Sequence, residues 1–194
     1  MNTEIRALAS ADRNTSGTKG QTVVPQTHAT PPKTSELAII TVTFHPDLAR
    51  LGQQLDALPS DAWLVVVDNA STCETFLQLQ QRLANRPKTH LISNNSNEGL
   101  AKALNQGADY ASTHIDSTRY LLLMDQDSVP FQNAIERLLA AHAELERGGH
   151  PVGCVGPRLI DMGTGLQHGF HRIKGWRWVR VYPAEEDRTP VSCS

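Results

Sequence analysis

Residues 121–130 read Leu-Leu-Leu-Met-Asp-Gln-Asp-Ser-Val-Pro. With Tyr120 ahead of it, the apolar part has the length of a buried strand. It stops abruptly at two carboxylates, Asp125 and Asp127. A carboxylate on a buried edge is costly unless something pairs with its charge. The stretch therefore raises two questions: what lies beside this strand, and what the acids hold.

Toward the N-terminus the same texture recurs. Leu37-Ala-Ile-Ile-Thr-Val-Thr43 is a β-branched apolar run, and Ala62 to Val67 is another, closing on Asp68. Lys88 to Ser93 reads as a weaker strand. Helical patterns separate them. Asp47 can cap a helix whose face carries Leu48, Leu51, Leu55 and Leu58, ended by Pro59 and Ser60. A second helix spans about Thr72 to Ala84, with Phe76, Leu79 and Leu83 on one side. Residues 98–112 give the cleanest stripe: Leu100, Ala103, Leu104, Gly107, Ala108 and Ala111. Beyond Asp127, Pro130 is expected to open a helix burying Phe131, Ile135, Leu138 and Leu139, with Gly148-Gly149 as the stop. Strands alternating with helices imply an α/β domain with a Rossmann-type, mostly parallel sheet and helices on both faces.

Ligands of an open parallel sheet bind outside the carboxyl ends of its strands. Those ends are Thr43-Phe44-His45, Asp68-Asn69-Ala70-Ser71, Ser93-Asn94-Asn95 and Asp125-Gln126-Asp127-Ser128. Mg²⁺ or Mn²⁺ is the natural partner for Asp125 and Asp127, because hard cations take carboxylate oxygens and keep phosphate or water as further ligands. Such an ion suits the clamping of a diphosphate. The alternative is that Asp127 or Ser128 caps the following helix. Asp68 can accept hydrogen bonds from a base or ribose, or instead close an Asx turn or cap the next helix. In Asn97-Glu-Gly99-Leu-Ala-Lys102-Ala-Leu-Asn105-Gln-Gly107, Gly99 allows close approach of a ligand to the backbone. Lys102 and Asn105, near a helix start, favour phosphate; the alternative is an ordinary amphipathic helix with a solvated polar face.

The bulk properties narrow the classes. The 194 residues carry 18 basic and 20 acidic side chains, a formal charge of -2, which gives no reason to expect a nucleic-acid partner. Cys73, Cys154 and Cys193 form neither a CxxC pair nor a zinc spacing, so a reduced, cytoplasmic setting is expected. Residues 1–35 lack apolar periodicity and are expected to form a disordered tail ahead of a domain over 36–194. Residues 168–182 are basic and aromatic. They read as a solvated β-hairpin strand whose partner lies beyond the chain, or as a contact for an anionic lipid-linked acceptor or the membrane surface, hence peripheral membrane association.

Together these segments resemble the family 2, GT-A-type glycosyltransferases, in particular a rhamnosyltransferase-like branch. AIITVTFHPD is similar to the family's opening strand, LVVVDNAS to its nucleotide-binding second strand, NEGLAKALNQG to its donor segment, and LLLMDQDSVP to its DxD motif. The likeness runs over about residues 37 to 160, with the segments in the expected order. It implies inverting transfer from a nucleotide-diphosphate sugar, dTDP-rhamnose being favoured, to a glycan or lipid-linked acceptor in polysaccharide assembly. By the same likeness Thr43, Asp68 and Asn69 bind the nucleotide. Asn97, Gly99, Lys102 and Asn105 border the donor. Asp125 holds the ribose, and with Asp127 the metal.

The family's catalytic carboxylate base lies after a small Ser/Gly-rich strand, and Thr189 to Ser194 looks like the beginning of that strand. Glu185, Glu186 and Asp187 precede it, so the base stays unassigned and the expectation is a truncated enzyme with its donor half intact. A non-catalytic nucleotide-binding remnant is the alternative. A haloacid-dehalogenase-type phosphatase also places DxD after an apolar strand, but on its first strand, whereas three strand–helix units precede Asp125 here.

Overall fold

The computed structural model describes residues 6–8, 32–149, 152–158, 164, 170–174 and 176–182. Its strands are β1 (Arg6–Leu8), β2 (Leu37–Thr43), β3 (Trp63–Asp68), β4 (Thr89–Ser93), β5 (Tyr120–Asp125), β6 (Gly156–Arg158), β7 (Phe170–Lys174) and β8 (Arg177–Val181). Its helices are α1 (Leu48–Ala57), α2 (Cys73–Leu83), α3 (Leu100–His114) and α4 (Ala134–Arg147). The chain divides into two compact units, one over Lys33–Ile135 and one that includes Glu136–Ser194.

The first unit is built on a four-stranded sheet of order β4-β3-β2-β5. Every neighbouring pair in it is parallel. The path steps outward from β2 to β3 to β4, then returns across both to β5 on the far side of β2. Right-handed crossovers therefore put α1 and α2 on one face and α3 on the other. This is the doubly wound α/β arrangement expected from the sequence. Leu64 to Val67 of β3 and Ala38 to Ile40 of β2 are fully buried, as strands covered on both faces must be.

Small residues set the α3 contact. Ala38, Ile40, Val65, Ala111 and Ile115 form one cluster, and Val42, Val67 and Ala103 another. Between them Gly107 lies so close to the sheet that an added Cβ would stand 2.4 Å from Ile40 Cγ2. On the other face, α1 starts where the Asp47 carboxylate accepts from the N–H groups of Ala49 and Arg50. The Thr72 hydroxyl does the same for the N–H of Thr75 at α2. Leu51, Leu55, Leu79 and Leu83 are the buried leucines of these helices.

Three expectations for this region are corrected. Leu100 is 56% exposed, because the buried stripe of α3 begins one turn later, at Ala103. Leu121 and Leu123 are exposed, since β5 is the outer strand on that side of the sheet. The helix expected from Pro130 starts at Ala134, and Phe131 is exposed rather than buried. The reason is Asn133, whose φ of 61° is left-handed and cannot belong to an α-helical turn. Asp127 and Ser128 therefore cap no helix.

In the second unit, α4 buries Leu138, Leu139 and Leu145 and stops at Gly148-Gly149, where Gly149 has φ 78°. β1 pairs antiparallel with β6, with Arg6 opposite Arg158. Three residues of the expected disordered tail are thus in a strand, and residues 1–5 and 9–31 lie outside the described residues. β7 and β8 pair antiparallel, with Phe170 opposite Val181 and Lys174 opposite Arg177. The basic–aromatic stretch therefore contains both strands of its hairpin, and its partner is not missing. Two residues join them, the shortest common hairpin connection. The Glu185–Asp187 cluster and the chain end at 189–194 lie outside the described residues. No described helix is long and apolar enough to cross a membrane.

Candidate functional site

Strand order reverses at β2, so the crevice of the first unit opens between the carboxyl ends of β2 and β5. In register, Thr43 stands beside Asp68, Asp68 beside Ser93, and Val42 beside Asp125. Asp68 and Asp125 are two strand spacings apart, roughly 10 Å. The expected residues of all four strand ends thus share one edge of the sheet.

They divide into a buried floor and an exposed rim. Thr43, Asp68 and Asn69 are all at most 2% exposed. The Thr43 hydroxyl donates to Asp68 Oδ1 at 3.0 Å, and the Ser71 N–H donates to Asp68 Oδ2 at 3.0 Å. The second bond closes the turn after β3, so the turn-forming reading of Asp68 holds. Capping of α2 falls to Thr72 instead. The turn carries strain: Ala70 has φ 71° and His45, at the end of β2, has φ 47°. Non-glycine residues in this region cost about 1–3 kcal/mol each and need their surroundings to hold them. The His45 N–H donates to the Ser71 hydroxyl at 2.9 Å, tying the two strained exits together.

Asn69 reaches the third segment. Its amide donates to Asn97 Oδ1 at 2.8 Å, and its Oδ1 accepts from the Glu98 N–H and from Asn94 Nδ2. Asn97 Oδ1 accepts the Gly99 N–H as well. Asn94 and Gln106 exchange a pair of amide bonds, at 2.9 and 3.1 Å, which pins this loop to α3. Gly99, the residue before α3, has φ 83° and ψ 154°, a region open in practice to glycine alone. An added Cβ there meets nothing within 4 Å, so the restriction is conformational and the space above is free for a ligand. Lys102 is exposed and pairs with Glu98 one turn back. The Lys102 ammonium, then the Ser96 hydroxyl, hold the Glu98 carboxyl below its usual range. Asn105 is exposed on the same helix.

On the far side of the crevice, Asp125 and Asp127 are both exposed. With no helix to cap, Asp127 is free of the structural role that competed with metal binding. Among the described residues no group of three or more His, Cys, Asp or Glu side chains is placed to hold a metal ion. Two carboxylates suffice for Mg²⁺ or Mn²⁺, which commonly take one or two and complete the shell with phosphate and water. The donor set fits an ion that arrives with a diphosphate.

The sequence reading missed the residues that hold this loop. Gln54 of α1 is fully buried, and its Nε2 donates to the carbonyls of Asp125 and Ser128 at 2.5 and 2.6 Å. Arg50 Nε donates to the carbonyl of Asp127 at 3.0 Å. Gln126 Oε1 accepts the Phe44 N–H at 2.9 Å, and its Nε2 donates to the Phe44 carbonyl at 3.4 Å. One signal was legible: Gln54 sits on the same helical face as Leu51, Leu55 and Leu58, where a polar residue needs a partner.

The chain is 31% identical over 161 residues to the dTDP-rhamnosyl transferase RfbF of Shigella flexneri, a match covering 82% of this chain and 51% of that protein. It therefore spans about half the length of that curated relative. Among solved structures it is similar to a mannosyltransferase from Pyrobaculum calidifontis in complex with GDP-Man and Mn²⁺. That match has TM-score 0.47 and 23% identity, over 56% of this chain and 32% of that one. It is also similar to residues 1–349 of S. aureus TarS, with TM-score 0.41 and 21% identity, over 57% and 32%. Residues 48–189, well over half of the chain, match the family described as glycosyl transferase family 2, and the chain belongs to that family.

Proposed function

We propose that this chain is the donor-binding half of a sugar-transferring enzyme. It takes a nucleotide-diphosphate sugar into the crevice between β2 and β5 and presents it for inverting transfer to a glycan or lipid-linked acceptor. The observation that carries the reading is the pair of exposed carboxylates, Asp125 and Asp127, at a topological switch point, with no helix to cap. The sugar favoured is rhamnose carried on dTDP, supported by the likeness to the rhamnosyl transferase. The setting proposed is cytoplasmic, at the inner face of the plasma membrane, within polysaccharide assembly.

The chain's own residues define the work. Thr43, Asp68 and Asn69 form the floor and fix the turns on which the nucleotide rests. Asn97, Gly99, Lys102 and Asn105 line the start of α3, where free N–H groups and a lysine favour phosphate. Lys102 would exchange its Glu98 partner for a phosphate oxygen. Asp125 and Asp127 would hold Mg²⁺ or Mn²⁺, which when bound neutralises charge on the departing diphosphate. The carboxylate base that deprotonates the acceptor hydroxyl in an inverting transfer is assigned to no described residue.

Calorimetry with dTDP, UDP and GDP, each with Mn²⁺ and with a chelator, tests the reading. A metal-dependent gain for at least one nucleotide is expected, and Asp125→Asn with Asp127→Asn should abolish that gain. A folded wild-type chain that binds none of the three would refute the proposal.

A further inference from the structure

Two glutamine side chains outside the acid pair converge on its loop. Gln54 approaches from α1 and Gln126 lies between the acids, and both bind backbone rather than side chain. Gln54 bridges the carbonyls of Asp125 and Ser128, the two ends of the loop. Both partners are carbonyl oxygens, so only the NH₂ of the amide can face them, which fixes its orientation. Its Oε1 is then buried with no hydrogen-bond partner in the structure. A buried, unpaired acceptor costs about 1–3 kcal/mol. Leucine or methionine at this site would avoid that cost but would strand the carbonyls of Asp125 and Ser128, so what the glutamine secures is the loop itself. Gln126 spans the crevice itself, bonding both the N–H and the carbonyl of Phe44 at the end of β2. Arg50 holds the third carbonyl of the loop, that of Asp127.

We infer that Gln54 and Gln126 are positioning residues for the metal. They take up the backbone polar groups of residues 125–128 and of Phe44, and so immobilise the loop with its two carboxylates on the open side. The inference deepens the proposed function and rests on it. Groups that orient metal ligands from behind commonly alter metal affinity 10- to 100-fold when removed. Neither glutamine need touch the ion or the nucleotide to have that effect.

The test uses the full 194-residue chain with Gln126→Ala and Gln54→Met. Gln126 is on the rim and its variant should fold, which keeps the test valid if Gln54→Met does not. The readout is the ratio of dTDP, UDP or GDP affinity with Mn²⁺ to that with chelator, since loss of general stability would not selectively lower this ratio. A 10- to 100-fold fall in the ratio is expected, with metal-independent binding changed less than about twofold. Backbone ¹⁵N relaxation of residues 125–128 reads the same claim without any ligand, and the loop should gain fast motion in both variants. An unchanged ratio beside a metal-dependent wild type would overturn the positioning role and leave the donor site standing. A wild type with no metal dependence would sink the donor site instead, and unchanged relaxation would then overturn the immobilising role as well.

Discussion

Gly107→Ala sets two known effects against each other. Alanine is a better helix former than glycine by about 0.8–1 kcal/mol, so on α3 taken alone the substitution stabilises. On the sheet it does the opposite. The new Cβ would lie 2.4 Å from Ile40 Cγ2 and 3.3 Å from Val67 Cγ2. Real contacts start near 3.0 Å, so α3 or β2 must yield by about 0.6 Å, and Ile40 is fully buried in a close-packed core. Overpacking of this kind costs about 1–3 kcal/mol. The net expectation is a loss of up to about 2 kcal/mol, measured by urea denaturation followed by far-UV circular dichroism. A double-mutant cycle isolates the cause. Ile40→Ala removes Cγ2, so Gly107→Ala on that background should be neutral or stabilising, a coupling of about 1–3 kcal/mol. Ile40→Val keeps both branches at Cβ and should not rescue. A Gly107→Ala chain more stable than wild type by the full helix gain of about 0.8–1 kcal/mol would refute the close packing of α3 on β2 and β3, and with it the placement of the loop before α3.

Three further outcomes follow from other sites. Gly99→Ala forces a Cβ into φ 83°, ψ 154°, at a cost of about 1–3 kcal/mol with no steric clash; nucleotide affinity by calorimetry should fall more than the melting temperature suggests. His90 is stacked on Tyr110 at 3.7 Å, with His114 on the other side of Tyr110 at 4.5 Å. Burial, then the charge of His114, lowers the His90 pKa below 6.5, so the unfolded chain binds its proton more readily than the folded one. The stabilisation is complete above pH 6.5 and is lost as pH falls through the lower folded value; His90→Phe should flatten that slope in melting curves while keeping the stack. Arg86 donates to the carbonyls of Pro59 and Ala62 at 2.7 and 3.4 Å, and Arg86→Met should cost about 2 kcal/mol in urea denaturation by stranding part-buried acceptors.

What the sequence disclosed follows the range of the interactions. Asp47 and Thr72 were readable as helix starts because a cap bonds within three residues. The β-branched runs of β2 and β3 were readable because a strand buried on both faces is apolar at every position. The errors fall where a distant neighbour decides. Leu121 and Leu123 look as buried as Ile39 and Ile40, and only the strand order shows that β5 is outermost in its unit. Pro130 carries a local sign of a helix start, but Asn133 in a left-handed conformation postpones it. Gln54 meets residues 71 and 74 positions away, and no spacing rule reaches that far.

The acid pair was the first chemistry visible in the chain, and its placement rests on neighbouring side chains, most of them uncharged. Two carboxylates on a free loop would repel each other and sample many separations, so an ion would have to order them at its own cost in binding. Here the loop's carbonyls are already taken by Gln54 and Arg50, and Gln126 ties it to Phe44 across the crevice. Across the same sheet edge the loop before α3 is ordered in a similar way, by Asn69 and Asn94 acting on Asn97, Glu98 and the helix start. Both rims of the crevice are therefore set by amides before any ligand arrives. This explains how strained turns at His45 and Ala70 persist: side-chain amides, hydroxyls and the Asp68 carboxylate bonded to backbone hold the exits of β2, β3 and β5 as one unit.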